Sequence, residues 1–208
     1  MSGLGVRRGS AEHLPAVHVW RIEEIGCTPV DCRIGLIRTH AGSSSAEKRQ
    51  QVQRLQARLL AGASGFSQRS RLSAVSRSYA AEFGVCAVAY LPRDDEPTIR
   101  IGVDIEQDPG AAQFSAAELC SVSGRMGLPF GAASPRQHFF ATWTEYEARA
   151  KALGTGLGLT LEETRRFSST YHIMDLYPLW ERCSDLGATA PLYGALCLST
   201  LDGPRRRH

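Results

Sequence analysis

A short apolar run, "IGVDIEQ" at residues 101–107, carries two carboxylates two positions apart. Alternate side chains of a β-strand share one face, so Asp104 and Glu106 are expected to point to one side and the branched apolar residues around them to the other. Like charges this close repel each other and raise each other's pKa. The run therefore predicts a strand fixed to a core on one face. The acids on the other face either need a positive group or line the wet side of an edge strand.

Hydrophobic periodicity predicts the other elements. Strands are expected at "AVHVWRIEEI", "RIGLIR", "FGVCAVAYL", "TIRIGVDIE", "FSSTYHIMDL" and "PLYGALCLST". Helices are expected at the apolar stripe of Val52, Leu55 and Leu59, briefly at 116–122, and at 136–153. The polar segment 61–80 is predicted to be a loop, and "PRDDEP" is predicted to join the strands on either side of it as a hairpin.

This order of elements indicates an α+β fold of two similar lobes, each a small antiparallel sheet packed with a long helix. We place the N-terminal lobe at residues 1–100 and the C-terminal lobe at residues 101–208. The glycines of "GTGLG" follow a helix, which favours a helix cap over a phosphate-binding loop.

Composition limits the class of protein. The net charge is +3, partly from the terminal "RRRH", so charge alone does not indicate nucleic acid binding. No segment approaches the ~20 apolar residues of a membrane span, and no apolar segment of a signal peptide follows the early "RR". The six cysteines show no zinc-ligand pattern, although Cys27 and Cys32 lie close enough in sequence to pair. We therefore expect reduced thiols in a soluble, cytoplasmic protein.

The helix expected at 136–153 places Glu147 and Lys151 four residues apart on one face, and Glu145 and Arg149 on another. Each pair alone is typical of a solvated surface, and this interpretation is kept for Glu145 and Arg149. For the first pair the strand acids change the interpretation, because two strand carboxylates and one helix carboxylate form an all-oxygen set suited to a hard divalent cation such as Mg²⁺.

The segment "GVDIE", followed after about forty residues by "WTEYEARAKALGTGL", resembles the 4′-phosphopantetheinyl transferase superfamily. The family pattern is G-[IV]-D-[IVL]-E and then W-[ST]-x-K-E-A-x-x-K-x-x-G-x-G. The matching positions are Gly102, Asp104, Glu106, Trp143, Thr144, Glu147, Ala148, Lys151, Gly154 and Gly156. The spacing is similar to that of the Sfp-type branch, whose members are single-chain pseudo-dimers. The resemblance covers residues 75–200 well and the first third of the chain loosely.

The resemblance implies an enzyme that transfers 4′-phosphopantetheine from coenzyme A to a serine of an apo acyl or peptidyl carrier protein, releasing adenosine 3′,5′-bisphosphate. It implies that Asp104, Glu106 and Glu147 hold Mg²⁺, for which Mn²⁺ can substitute, against the pyrophosphate of coenzyme A. Glu147, directly or through a metal-bound water, would take the proton of the attacking serine. Lys151 would bind the leaving phosphate. Two lobes in one chain imply a monomer.

The first lobe is expected to bind the phosphates of coenzyme A. Arg49 is the leading candidate for the 3′-phosphate, although arginines on that helix can equally be solvated. Where the family has Ser-His-Ser-Gly, this chain has "SRSY", so Ser76 and Arg77 are the expected pyrophosphate contacts and Tyr79 replaces the glycine. Tyr146 likewise stands where the family has lysine, and the family's Gly-Lys-Pro segment is not recognisable.

Three alternatives remain open at this level. In the first, the chain is a relative of the family that has lost catalysis and binds coenzyme A or a carrier protein. In the second, it is an unrelated Mg²⁺-dependent phosphohydrolase. In the third, it is an α+β domain whose acids are only surface residues. The replaced histidine motivates the first alternative, while the second lacks any further acid, histidine or phosphate loop at matching positions.

Overall fold

A computed structural model describes residues 17–25, 28–39, 42–61, 71–91, 98–128, 134–158, 160, 162, 171–177, 180, 187–188 and 190–201. The strands are β1 Val17–Ile25, β2 Thr28–Arg38, β3 Arg71–Tyr79, β4 Phe83–Leu91, β5 Thr98–Gln107, β6 Tyr171–Asp175 and β7 Leu192–Leu201. The helices are α1 Ser45–Ala61, α2 Ala116–Met126 and α3 Pro135–Leu153, and a short 3₁₀ turn follows at Gly156–Gly158. The predicted α+β class is confirmed.

The strands form two antiparallel sheets. Sheet A has the order β1-β2-β4-β3 and sheet B the order β5-β7-β6. The predicted hairpin between β4 and β5 is wrong, because β4 pairs with β2 and β3 while β5 pairs with β7. The backbone groups of β5 therefore find their partners almost a hundred residues further along the chain, as in the pairing of Asp104 with Ala195.

The predicted loop at 61–80 is wrong for its second half, which forms β3. The segment shows no alternation of apolar and polar residues, because its buried positions are occupied by the serines of "SRSY", which lie against β5. Val75 and Tyr79 lie on the other face of β3 and pack beneath α1. Residues 62–70 of the predicted loop lie outside the described part of the chain.

One core joins the two sheets face to face. Ile34, Leu36 and Val85 of sheet A share this core with Val103 and Leu196 of sheet B. Each sheet carries one long helix on its outer face, so the layers run α1, sheet A, sheet B, α3. The boundary expected between residues 100 and 101 lies within β5.

The two long helices cover their sheets differently. Helix α1 buries Val52, Leu55 and Leu59, as its periodicity predicts. Helix α3 packs with the small side chains of Ala148 and Ala152. No helix within the described ranges is long and apolar enough to cross a membrane.

Helix α3 begins at Pro135, a residue favoured at the first helical position because its missing N–H would have no partner there. It ends at Gly154, whose φ of 75° lies in the left-handed region and whose N–H donates to the carbonyls of Ala150 and Lys151. The cap interpretation of "GTGLG" is therefore confirmed. Helix α2 covers the predicted 116–122 and extends to Met126, where Gly127 forms its cap.

Buried thiols support the expectation of reduced cysteines. Cys32, Cys86 and Cys197 are free and buried, and burial raises the pKa of each thiol to about 12. Cys32 is thus unpaired in the structure, while Cys27 lies outside the described residues.

Candidate metal and catalytic site

The face of β5 that carries the two acids lies against α3. An added Cβ at Gly102 would stand 1.9 Å from the carbonyl oxygen of Ala148 and 2.6 Å from the nitrogen of Ala152. The backbones of strand and helix therefore touch at this glycine, and no larger residue fits. The close approach brings the helix residues on either side of Ala148 to the strand acids.

Asp104 is the most buried member of the site, with 1% of its surface exposed. Its Oδ1 accepts a hydrogen bond from Ser78 Oγ at 2.6 Å and one from Lys151 Nζ at 2.6 Å. Its Oδ2 is buried and has no hydrogen-bond donor among the described residues while Glu147 is ionised. The alternative of a wet edge strand is therefore excluded for Asp104. Burying a carboxylate oxygen without a partner is costly and needs an explanation.

Lys151 is the positive group that the strand acids require. Besides Asp104, its Nζ donates to Ser78 Oγ at 2.9 Å and to the Val103 carbonyl at 3.3 Å. Its Nζ also lies 3.7 Å from Glu147 Oε2, the same-face pair that the spacing predicts. One ammonium group thus connects α3, β5 and β3, with 32% of its side chain exposed.

The two glutamates complete a cluster with too much negative charge for one lysine. Burial, together with the charges of Asp104 and Glu147, raises the pKa of Glu106 to about 7, although Lys151 lowers it. Burial, the charge of Asp104 and a hydrogen bond with the Asp104 side chain likewise raise the pKa of Glu147 to about 7. A hydrogen bond from the Trp143 side chain lowers both pKa values without cancelling these effects.

The chemistry of these side chains fits a divalent cation. Within the described part of the chain no three histidine, cysteine, aspartate or glutamate side chains converge as a ready-made metal group. However, three carboxylates supply only oxygen ligands, which Mg²⁺ prefers, and Oδ2 of Asp104 has no positively charged hydrogen-bond partner among the described residues. A cation here would also relieve the repulsion that raises the pKa of both glutamates.

The structure places the other predicted residues apart from this cluster. Ser76 is buried, and its Oγ accepts a hydrogen bond from the Val103 N–H at 2.9 Å. Arg77 is exposed on the opposite side of β3, the side that faces α1. Arg49 is exposed on α1, where its Nε donates to the Ser45 carbonyl. Neither arginine contacts the carboxylates within the described ranges, so their role toward coenzyme A stays a prediction.

Sequence reasoning missed two contacts. Ser78, which was not singled out, contacts both Asp104 and Lys151. The available signal was its spacing of two from Ser76, which puts both serines on one face once the segment is a strand. Lys48, beside Arg49, donates to the carbonyls of Ala80 and Ala81 and so holds the turn after β3.

The second helix pair differs from its prediction. Arg149 Nε lies 3.0 Å from Glu145 Oε1, but only 12% and 25% of the two side chains are exposed. The pair is therefore partly buried rather than solvated. Tyr146, which replaces the family's lysine, is completely buried among the aromatic residues of α3.

Comparisons with known proteins do not decide between these interpretations. Neither protein-family models nor curated proteins nor solved structures gave a significant match to this chain.

Proposed function

We propose that the chain is a Mg²⁺-dependent 4′-phosphopantetheinyl transferase of the Sfp type. The observation that carries the proposal is the cluster itself. Asp104, Glu106, Glu147 and Lys151 are the positions that match the family motifs, and the fold brings these two distant segments to one place. Two small sheets, each with one long helix, also support the pseudo-dimeric phosphopantetheinyl transferase fold.

The proposed reaction is a phosphoryl transfer in which the chain positions charge and accepts a proton. The serine oxygen of the carrier protein attacks the phosphorus next to the pantetheine of coenzyme A. A new oxygen–phosphorus bond forms, and the pyrophosphate bond to adenosine 3′,5′-bisphosphate breaks. When bound, Mg²⁺ supplies positive charge to the pyrophosphate oxygens.

Glu147 accepts the serine proton. Among the three carboxylates of the cluster it is the one on the helix, and it is partly exposed and lies beside Lys151. Asp104 and Glu106 would hold the cation together with Glu147. Lys151 stabilises the negative charge on the leaving phosphate. To do so its ammonium group would leave Asp104, whose Oδ1 would keep the hydrogen bond from Ser78.

Intact-mass spectrometry of apo acyl and peptidyl carrier proteins with coenzyme A and Mg²⁺ tests the proposal. We expect one added phosphopantetheine on at least one carrier. The Glu147→Gln variant should transfer about 10²- to 10⁴-fold more slowly, the range typical of a lost proton acceptor. Glu145→Gln is the matched control, because it makes the same change on the same helix outside the cluster. Equal rates in both variants would refute the role of Glu147.

One observation favours a second candidate, a relative without catalysis that binds coenzyme A or a carrier protein. Lys151 already neutralises part of the cluster by its 2.6 Å contact with Asp104, so the cluster joins β3, β5 and α3 without a metal. Binding of coenzyme A with no transfer to any carrier, with or without Mg²⁺, would establish this candidate. Release of products from coenzyme A without a carrier would instead indicate a phosphohydrolase.

The proposal extends to the setting of the protein. A carrier-modifying enzyme acts where carrier proteins are made, so we place it in the cytoplasm. Because both halves of the proposed fold lie in one chain, we propose a monomer.

A further inference from the structure

Two serines of β3 reach across from sheet A to β5, but they contact different groups. Ser76 Oγ accepts a hydrogen bond from the Val103 backbone N–H at 2.9 Å. Ser78 Oγ donates to the Asp104 carboxylate at 2.6 Å. Both side chains are buried, with 8% and 6% exposed. One serine therefore holds the backbone of β5, and the other holds a side chain of the candidate metal site.

The contact of Ser78 is part of a closed triangle. Its hydroxyl group donates to Asp104 Oδ1 and accepts from Lys151 Nζ, which donates to the same Oδ1. Both partners of Asp104 thus act on one oxygen. The other oxygen, Oδ2, is buried and has no donor in the described part of the chain while Glu147 is ionised. This one-sided arrangement holds the carboxylate by Oδ1 and leaves Oδ2 without a positive group.

We propose that Ser78 is a positioning residue for the divalent cation, holding Asp104 through Oδ1 so that Oδ2 ligates the metal. The inference rests on the cation site of the proposed function. Ser78 itself touches neither metal nor substrate and acts through Asp104. If Lys151 turns from Asp104 to the phosphate during the reaction, Ser78 remains as the described donor to Oδ1.

The competing explanation is that Ser78, like Ser76, only holds the two sheets together. The two roles differ in what they change. A purely structural serine affects the free energy of unfolding, whereas a positioning serine also affects the affinity of the folded protein for the cation. Hydrogen-bond partners of metal ligands typically contribute about 10- to 100-fold in metal affinity.

The test titrates the full chain at pH 8 with Mn²⁺ as the probe metal. Electron paramagnetic resonance measures the free Mn²⁺. Thermal unfolding is followed in parallel. We expect Asp104→Ala to remove tight binding and Ser78→Ala to weaken it about 10-fold or more. Ser76→Ala, the control two residues away on the same face of β3, should bind within about twofold of the unaltered chain while its melting temperature falls. Ser78→Thr keeps the hydroxyl group and should recover most of the affinity.

The outcomes separate the inference from the proposed function. If the unaltered chain binds Mn²⁺ through Asp104 and Ser78→Ala binds equally well or better, the positioning role is refuted and the metal site stands. Equal losses in Ser76→Ala and Ser78→Ala, or a Ser78→Thr variant as weak as Ser78→Ala, would also refute it in favour of sheet docking. No binding of Mn²⁺ by the unaltered chain would refute the metal site and with it the inference.

Discussion

The two sheet–helix pairs have the same plan but different contacts. In the first pair, leucine and valine side chains of α1 fill the space above sheet A, so that an added Cβ at Gly35 would meet the end of Leu55 at 2.7 Å. In the second pair, an added Cβ at Gly102 of β5 would stand 1.9 Å from a backbone oxygen of α3. The first helix is held at a side chain's distance, and the second lies directly on the strand.

The difference explains where the candidate site lies. A helix separated from its sheet by leucines presents only apolar atoms to the strand beneath it. A helix in backbone contact brings its neighbouring side chains to the level of the strand's own side chains. Lys151 reaches Asp104 at 2.6 Å and Val103 at 3.3 Å for this reason. Close packing at one glycine is thus the structural condition for the cluster.

The largest expected effect comes from breaking that contact. Gly102→Ala would force strand and helix apart by roughly 1.5 Å to reach ordinary van der Waals separation, and the nearest atoms are backbone atoms that cannot rotate away. We expect a loss of about 3–5 kcal/mol in the free energy of unfolding, the range of severe core changes. Gly35→Ala should stay within about 1 kcal/mol, because the end of Leu55 can rotate and alanine restricts the unfolded chain.

Urea unfolding followed by circular dichroism measures both variants, with Mn²⁺ affinity as the second reading. Gly102→Ala should lose cation binding even where it remains folded, and Gly35→Ala should keep it. Similar losses of stability in the two variants would contradict the difference between the two helix contacts.

The sequence predicted the strands with clear apolar runs and the helix that carries the motif. It failed at β3, because "SRSY" is polar and its burial depends on β5, a strand from the other sheet. The hairpin prediction failed for a related reason. Adjacent strands in sequence usually pair, but β5 pairs with β7 at the end of the chain, and no local pattern encodes that choice.

The candidate site was predictable to a similar degree. The strand spacing placed Asp104 and Glu106 on one face, and the helix spacing placed Glu147 beside Lys151. The ion pair between Lys151 and Asp104 was not predictable, because it depends on how closely α3 approaches β5. The contacts of Ser76 and Ser78 depend in the same way on how the two sheets pack.

An intermediate effect should appear in the pH dependence of stability. Glu106 and Glu147 have pKa values raised to about 7 in the folded protein, above their ordinary value of 4.5. The folded state therefore binds more protons than the unfolded state between about pH 4.5 and 7. Stability in that window falls as pH rises. Without divalent cations we expect a loss of about 1–2 kcal/mol from pH 5 to pH 8, reduced from the full shift because both groups are partly exposed.

Thermal unfolding in a chelator measures this loss as a fall of a few degrees in melting temperature. Glu147→Gln should reduce the slope, leaving the part that comes from Glu106, and should melt higher than the unaltered chain at pH 8, because an uncompensated charge has been removed. Glu145→Gln, changed outside the cluster, should keep the slope. The interpretation fails if the slope in Glu147→Gln equals that of the unaltered chain.

The smallest effect is the release of protons when the cation binds. At pH 6.5 a substantial fraction of Glu106 and Glu147 is protonated in the metal-free protein, because the pKa of each is raised to about 7. A divalent cation ligated by these groups requires them ionised, so binding should release about one proton at this pH and few at pH 8.5. The apparent affinity for Mg²⁺ should rise over the same interval.

Isothermal titration calorimetry of Mg²⁺ in buffers with different ionisation enthalpies counts the protons. Glu147→Gln should release fewer, and Glu145→Gln should match the unaltered chain. Binding without proton release at pH 6.5 would mean that the cation is held elsewhere. The close contact at Gly102 would then serve the ion pair between Lys151 and Asp104 rather than a metal site. Proton release that falls in Glu147→Gln would instead mean that the backbone contact of α3 with β5 serves cation binding. The contact of α1 with sheet A, which is made by leucine and valine side chains, has no such function.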